Sequence, residues 1–110
     1  MNKKIILATD HAGFKLKEEV KKFLIEEGME VEDIGAQTFD SSDDYPDLIT
    51  PAAKKVAEDK TKGIIFGASG QGEAIVANKI KGVRAALYYG KNIEIVKLSR
   101  THNDANILSL

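Results

Sequence analysis

The densest group of chemistry-bearing residues in the chain is the turn Gly67-Ala68-Ser69-Gly70-Gln71-Gly72-Glu73. Its three glycines let the backbone turn sharply and approach a ligand closely. The turn opens a helix, and the free N–H groups of a helix start suit an anion, a phosphate or a developing oxyanion. The spacing is neither GxGxxG nor a Walker-type GKS or GKT loop, so neither common nucleotide fingerprint applies. Taken alone, the same turn is equally a plain tight connection from strand to helix. Glu73 stands where the helix dipole favours a carboxylate, so capping accounts for it. Beside a ligand-binding turn it is also a candidate general base.

Three further clusters carry polar chemistry. Asp10-His11 follows the first apolar run, where an Asp often caps the next helix. His11 beside it could bind an anion or move a proton. His102, in Ser99-Arg100-Thr101-His102-Asn103-Asp104, reads as part of a carboxyl-face or subunit-edge loop. The chain has two histidines, and both fall in turns flanking strands. The acidic run DSSDDYP, 40–46, reads as a solvated loop, since no second cluster accompanies it to complete a metal site. Tyr45 in that run is a candidate to line the crevice.

These groups need elements to hold them. Residues 4–9, KIILAT, form a continuous apolar run, as expected of a strand covered on both faces. Phe14, Leu16, Val20, Phe23 and Leu24 recur at largely helical spacing until Gly28 ends the helix. Residues 30–34 alternate as a strand nearer an edge. A helix is predicted from Pro46 or Pro51 to Lys60, a buried strand over 63–67 and a helix over Ala74 to Lys79. A strand over 83–89, a helix over 91–99 and a strand from Ala105 to Leu110 complete the pattern. Strands alternating with helices imply right-handed crossovers and a parallel sheet. The expected fold is α/β, Rossmann-like, with five parallel strands in the order 2-1-3-4-5 and helices on both faces. Ligands of such sheets bind past the carboxyl ends of strands where the order reverses, here between strands one and three. The turns at Asp10 and at 67–73 then share one crevice.

Bulk properties narrow the function classes. The 110 residues fit a single domain, 1–110. With 16 basic against 17 acidic residues, a formal net charge of −1 gives no basic excess for nucleic acid or anionic membrane. The absence of cysteine excludes disulfides, thiolate metal sites and a cysteine nucleophile. Ile5-Ile6-Leu7-Ala8 is too short for a signal-peptide core or a membrane span, so the cytoplasm is the expected compartment.

The chain resembles the ribose-5-phosphate isomerase B and galactose-6-phosphate isomerase family. The resemblance rests on TDHAGFKLKEEV at 9–20, DDYPD at 43–47, GIIFGASGQGEAIVANKIKGVRAAL at 63–87 and SRTHNDANIL at 99–108. It implies a Rossmann-like fold, a homodimer or tetramer with a site shared between subunits, and no metal or organic cofactor. The implied reaction interconverts a phosphorylated aldose and ketose through an enediol, with ribose 5-phosphate as the expected substrate. Many members place a cysteine base at the end of the third strand, where this chain has Phe66. Another branch uses a glutamate, which Gly70-Gln71-Gly72-Glu73 matches, making Glu73 the base. The resemblance further implies that Ser69 and the N–H groups of Ala68, Ser69, Gly70, Gln71 and Gly72 stabilise the enediolate. It implies that His102 opens the sugar ring in the neighbouring subunit's site. Asp10 and His11 would contact sugar and phosphate, and Asn103 the hydroxyls.

The family also grips phosphate with arginines on a final segment and helix past position 110. This sequence stops at Leu110 and has only Arg84 and Arg100, so a C-terminally short form with weakened phosphate binding is expected. The alternatives are a galactose-6-phosphate isomerase subunit, a non-catalytic sugar-phosphate-binding or assembly subunit, and a flavodoxin-like binder of another phosphate.

Overall fold

The computed structural model describes residues 4–35, 45–88, 90 and 92–110. The elements alternate as expected: β1 Lys4–Thr9, α1 Phe14–Glu26, β2 Glu30–Gly35, α2 Tyr45–Asp59, β3 Lys62–Phe66, α3 Gln71–Asn78, β4 Ala85–Leu87, α4 Ile93–Thr101 and β5 Ile107–Ser109. All pairings are parallel, giving one five-stranded sheet. The acidic run over 40–44 lies outside the described residues. Tyr45 opens α2, but its side chain also lies outside the description.

The strand order is β2-β1-β3-β5-β4, which corrects the expected 2-1-3-4-5. β5 runs between β3 and β4, and burial explains why. Ile107 and Ser109 are buried, whereas Ala85, Ala86 and Leu87 are only half-buried, as suits an edge strand. That edge is partly covered by Asn78. Its amide oxygen accepts the Ala85 N–H at 2.8 Å, and its amide nitrogen donates to the Ala85 carbonyl at 3.1 Å. A side chain thus replaces the backbone pairing that a bare edge offers to other chains. The reversal between β1 and β3 survives the correction, and so does the crevice expected there.

Right-handed crossovers put α2 and α3 on one face of this sheet and α1 and α4 on the other. The first face holds the main core. Ile6, Ala8, Ile65 and Ile107 from the sheet meet Ile49, Ala52, Ala53 and Val56 of α2 and Ala77 of α3. Small alanines on α2 let that helix lie close to the strands. The second face departs from the sequence pattern. Leu16 and Phe23 of α1 are 44% and 59% exposed, while Lys17 is wholly buried. The Lys17 ammonium lies 2.5 Å from Asp33 Oδ2, 2.7 Å from Glu18 and 5.0 Å from the centre of the Phe14 ring. These partners offset the cost of burying the charge.

Candidate active site

The crevice is built where β1 and β3 end side by side. Thr9, the last residue of β1, is fully buried. Its Oγ1 lies 3.1 Å from the Phe66 carbonyl oxygen and 2.9 Å from that of Asp10. The hydroxyl therefore fastens the end of β1 to the end of β3. Asp10 then organises the turn. Its Oδ1 accepts the N–H groups of Ala12 at 2.9 Å and Gly13 at 3.3 Å. The N-cap of α1 is Gly13, with no side-chain cap, so Asp10 shapes the turn before the helix instead of capping the helix itself. A Cβ at Gly13 would meet Thr9 Oγ1 and Phe66 Cβ at 2.5 and 2.6 Å. α1 starts pressed against the ends of both strands.

The second wall is the glycine-rich turn. α3 begins at Gln71, earlier than the expected Ala74, with Gly70 as its N-cap. Gly67 donates its N–H to the Leu110 carbonyl at 3.0 Å, and Ser109 Oγ donates to the Gly70 carbonyl at 2.6 Å. β5, adjacent to β3, thus anchors the turn from behind. Ser69 Oγ accepts the Gln71 N–H at 3.2 Å. Gln71 to Glu73 lie in the first turn of α3, whose N–H groups have no carbonyl partner within the helix.

Glu73 points back into this junction and is 4% exposed. Its carboxyl group covers Gly67 so closely that a Cβ there would overlap it, which is why residue 67 must be glycine. It also lies against the carboxyl of Asp10, itself 8% exposed, within hydrogen-bonding reach once one of the two is protonated. Burial pushes the Glu73 carboxyl above its ordinary value near 4.5. The Asp10 charge and hydrogen bond push the same way, and a bond from Glu73's own backbone N–H pulls against them. The glutamate is therefore more than a dipole-favoured cap. A buried carboxyl with raised proton affinity in a crevice is suited to general base work.

Of the other sequence candidates, His11 is half-buried in the turn beside Asp10. Ala68 and Ser69 line an open cleft of about 270 Å³ with Leu16, Tyr88, Gly90 and Leu110. Gly70 is buried, Gly72 half-buried and Gln71 exposed. His102 and Asn103 are elsewhere, which corrects the carboxyl-face reading of their loop. α4 runs back toward the start of β5, and His102 is its C-cap. Asn103 accepts from Arg84 Nε at 2.6 Å, and Asn106 bonds to Arg84 and Gly63, at the starts of β4 and β3. The loop thus sits at the amino edge of the sheet. It is separated from Glu73 by roughly the length of β3, about 16 Å for five residues.

Two positioning residues escaped the sequence pattern. Thr9 and Ser109 are polar residues at the ends of apolar strands, and both are fully buried. A hydroxyl ending an apolar run next to Asp is the signal that could have found Thr9; Ser109, between Leu108 and Leu110, carries no such signal. Among the described residues there is no group of three or more His, Cys, Asp or Glu that could hold a metal ion. An apolar groove of about 250 Å³ between α4 and strands β3 and β5, lined by Ile64, Val96 and Leu108, has Arg100 and Lys62 at its margin and no carboxylate or histidine.

The model of the Ribose/Galactose Isomerase family matches residues 5–110. The chain is 40% identical over 108 residues to ribose-5-phosphate isomerase B of Mycolicibacterium paratuberculosis, covering 97% of this chain and 67% of that one. It is similar to the structure of ribose-5-phosphate isomerase B from Clostridium thermocellum, with TM-score 0.90 and 42% identity over 97% of this chain and 71% of that chain. The corresponding Mycoplasma genitalium structure, with bound ribulose-5-phosphate, gives TM-score 0.91 and 38% identity over 97% of this chain and 70% of that chain. The chain spans about two thirds of the length of the curated relatives it matches.

Proposed function

This chain belongs to the Ribose/Galactose Isomerase family, and on that premise we propose that it interconverts ribose 5-phosphate and ribulose 5-phosphate with Glu73 as the proton acceptor. The observation that carries the reading is the buried Glu73 carboxyl in the β1–β3 crevice, over Gly67 and against Asp10. Its relatives are named for this reaction, and one binds the ketose product.

The chemistry follows from the groups present. Glu73 takes the C2 proton of the open-chain aldose. The C–H pair forms the C1=C2 bond, and the carbonyl pair moves to O1. The N–H groups of residues 68–72 and the Ser69 hydroxyl are the donors we assign to that oxygen. Return of the proton to C1, with transfer of the O2 proton to O1, gives the ketose. Asp10, His11 and Tyr45 are assigned to the sugar and phosphate. No cofactor is invoked.

His102 and Asn103 cannot serve the Glu73 of their own chain from the far edge of the sheet. We therefore assign them to the site of a second copy, where His102 opens the ring and Asn103 binds hydroxyls. The exposed Leu16, Phe23, Ile93 and Leu98 on the face of α1 and α4 favour such an assembly. Among the described residues no helix is long and apolar enough to cross a membrane. A charged sugar phosphate does not pass bilayers unaided, so we place the reaction in the cytoplasm.

The test is conversion of ribose 5-phosphate to ribulose 5-phosphate, run beside galactose 6-phosphate. Pentose turnover supports the proposal. Hexose turnover alone would assign the chain to the galactose branch that the family's name includes. Binding without turnover of either would make it a non-catalytic subunit.

A further inference from the structure

We propose that Asp10 and Glu73 work as one carboxyl pair, with Asp10 as the positioning residue that accepts a hydrogen bond from the proton Glu73 carries. The proposal rests on the reading of Glu73 as the base, and gives Asp10 a role other than gripping the substrate.

The geometry makes the two carboxyls unequal partners. Asp10 is fixed as an acceptor, because its Oδ1 already takes the N–H groups of Ala12 and Gly13. Glu73 is held from below by Gly67, with no room for any side chain between them. Both groups are more than nine-tenths shielded from water, and the two carboxyls lie within hydrogen-bonding reach once one carries a proton. Two shielded carboxyls in contact resist carrying two negative charges, which raises the affinity of the ionised Glu73 for a proton. Among the described residues, the neighbouring elements bring few charged or titratable groups to the contact. The end of β3 presents Phe66, the 67–70 turn has no titratable side chain, and α1 opens with Gly13 and Phe14. Lys17 is turned to Asp33, and β5 ends in Ser109 and Leu110. His11, next to Asp10, is the other titratable residue in the turn.

The pair then supports both proton transfers. When Glu73 takes the C2 proton, its new O–H donates to Asp10. When the proton leaves for C1, the hydrogen bond is given up and the pair returns to its starting state. No proton or electron is gained or lost over the cycle. The negative Asp10 also makes Glu73 a stronger base than burial alone would.

The test is Asp10→Asn, which keeps an oxygen for Ala12 and Gly13 but removes the charge. C2 hydrogen exchange of ribose 5-phosphate is followed against pH in both proteins. The acid limb should move to lower pH by about one unit in the variant, with a lower plateau. An Asp10 that only bound substrate would raise KM and leave the limb in place. Carbon-13 carboxyl NMR, with Glu73 assigned by Glu73→Gln, reads the same titration without turnover. Glu73 should titrate at lower pH in Asp10→Asn, even if that variant is inactive. Unchanged Glu73 titration in the variant overturns the pairing. Normal exchange by Glu73→Gln would instead overturn the base assignment, and leaves the NMR result to decide the pair independently.

Discussion

As the proposed base, Glu73 would gain its reactivity from what it is denied: water and space. Its carboxyl rests on Gly67, and any Cβ at that position would occupy the same volume. Gly67→Ala should therefore displace the carboxyl while leaving the sheet intact. Misplacing a reacting group by about 1 Å can cost 10²-fold, so kcat should fall by about that factor with cooperative unfolding retained. Steady-state kinetics with thermal unfolding separates the two. Burial also ties this residue to stability. Its folded-state proton affinity is raised above the ordinary value near 4.5. The stability this contributes is fully present below that pH and is lost as pH rises through the raised value. Wild type should thus lose stability relative to Glu73→Gln as pH climbs from about 4.5. Paired melting curves across that range check the sign, and a parallel course for both proteins would contradict it.

At the scale of elements, the site depends on how closely the start of α1 meets the ends of β1 and β3. Gly13→Ala would push a methyl into Thr9 and Phe66. Overpacking of this kind costs about 1–3 kcal/mol, measurable by urea denaturation, and should weaken turnover by shifting Asp10. Much of this scale was legible in the sequence. Apolar runs at 4–9 and 63–67 and the intervening helical spacings specify a parallel α/β sheet whatever the neighbours. The crevice followed, because the reversal beside β1 needs only the first three strands. The order of β4 and β5 was not legible, since alternation is the same either way. It is decided by burial of Ile107 and Ser109 against half-exposure of Ala85 to Leu87. Spacing likewise marked Leu16 and Phe23 as one with the core side of α1. Lys17 is the residue buried there, because Asp33 on β2 supplies a partner that no local pattern reveals. The Glu73–Gly67 contact joins residues six apart whose closeness depends on the turn's geometry.

For the whole molecule, His102 and Glu73 at opposite edges of one sheet are the central fact. A single chain carries both and unites neither. In a shared-site dimer, each site takes Glu73 from one copy and His102 from the other. Glu73→Gln and His102→Ala should each be severely impaired alone. Unfolded and refolded together, they should regain about a quarter of wild-type activity, since half the dimers are mixed and each has one intact site. No recovery would place His102 outside the catalytic unit. The most direct measurement of the account is hydrogen exchange at C2 of ribose 5-phosphate in deuterated water, comparing wild type with Glu73→Gln. Wild type should exchange the C2 hydrogen, and Glu73→Gln should lose that exchange while still binding the sugar phosphate. Exchange at the wild-type rate in Glu73→Gln would contradict the role given to Glu73.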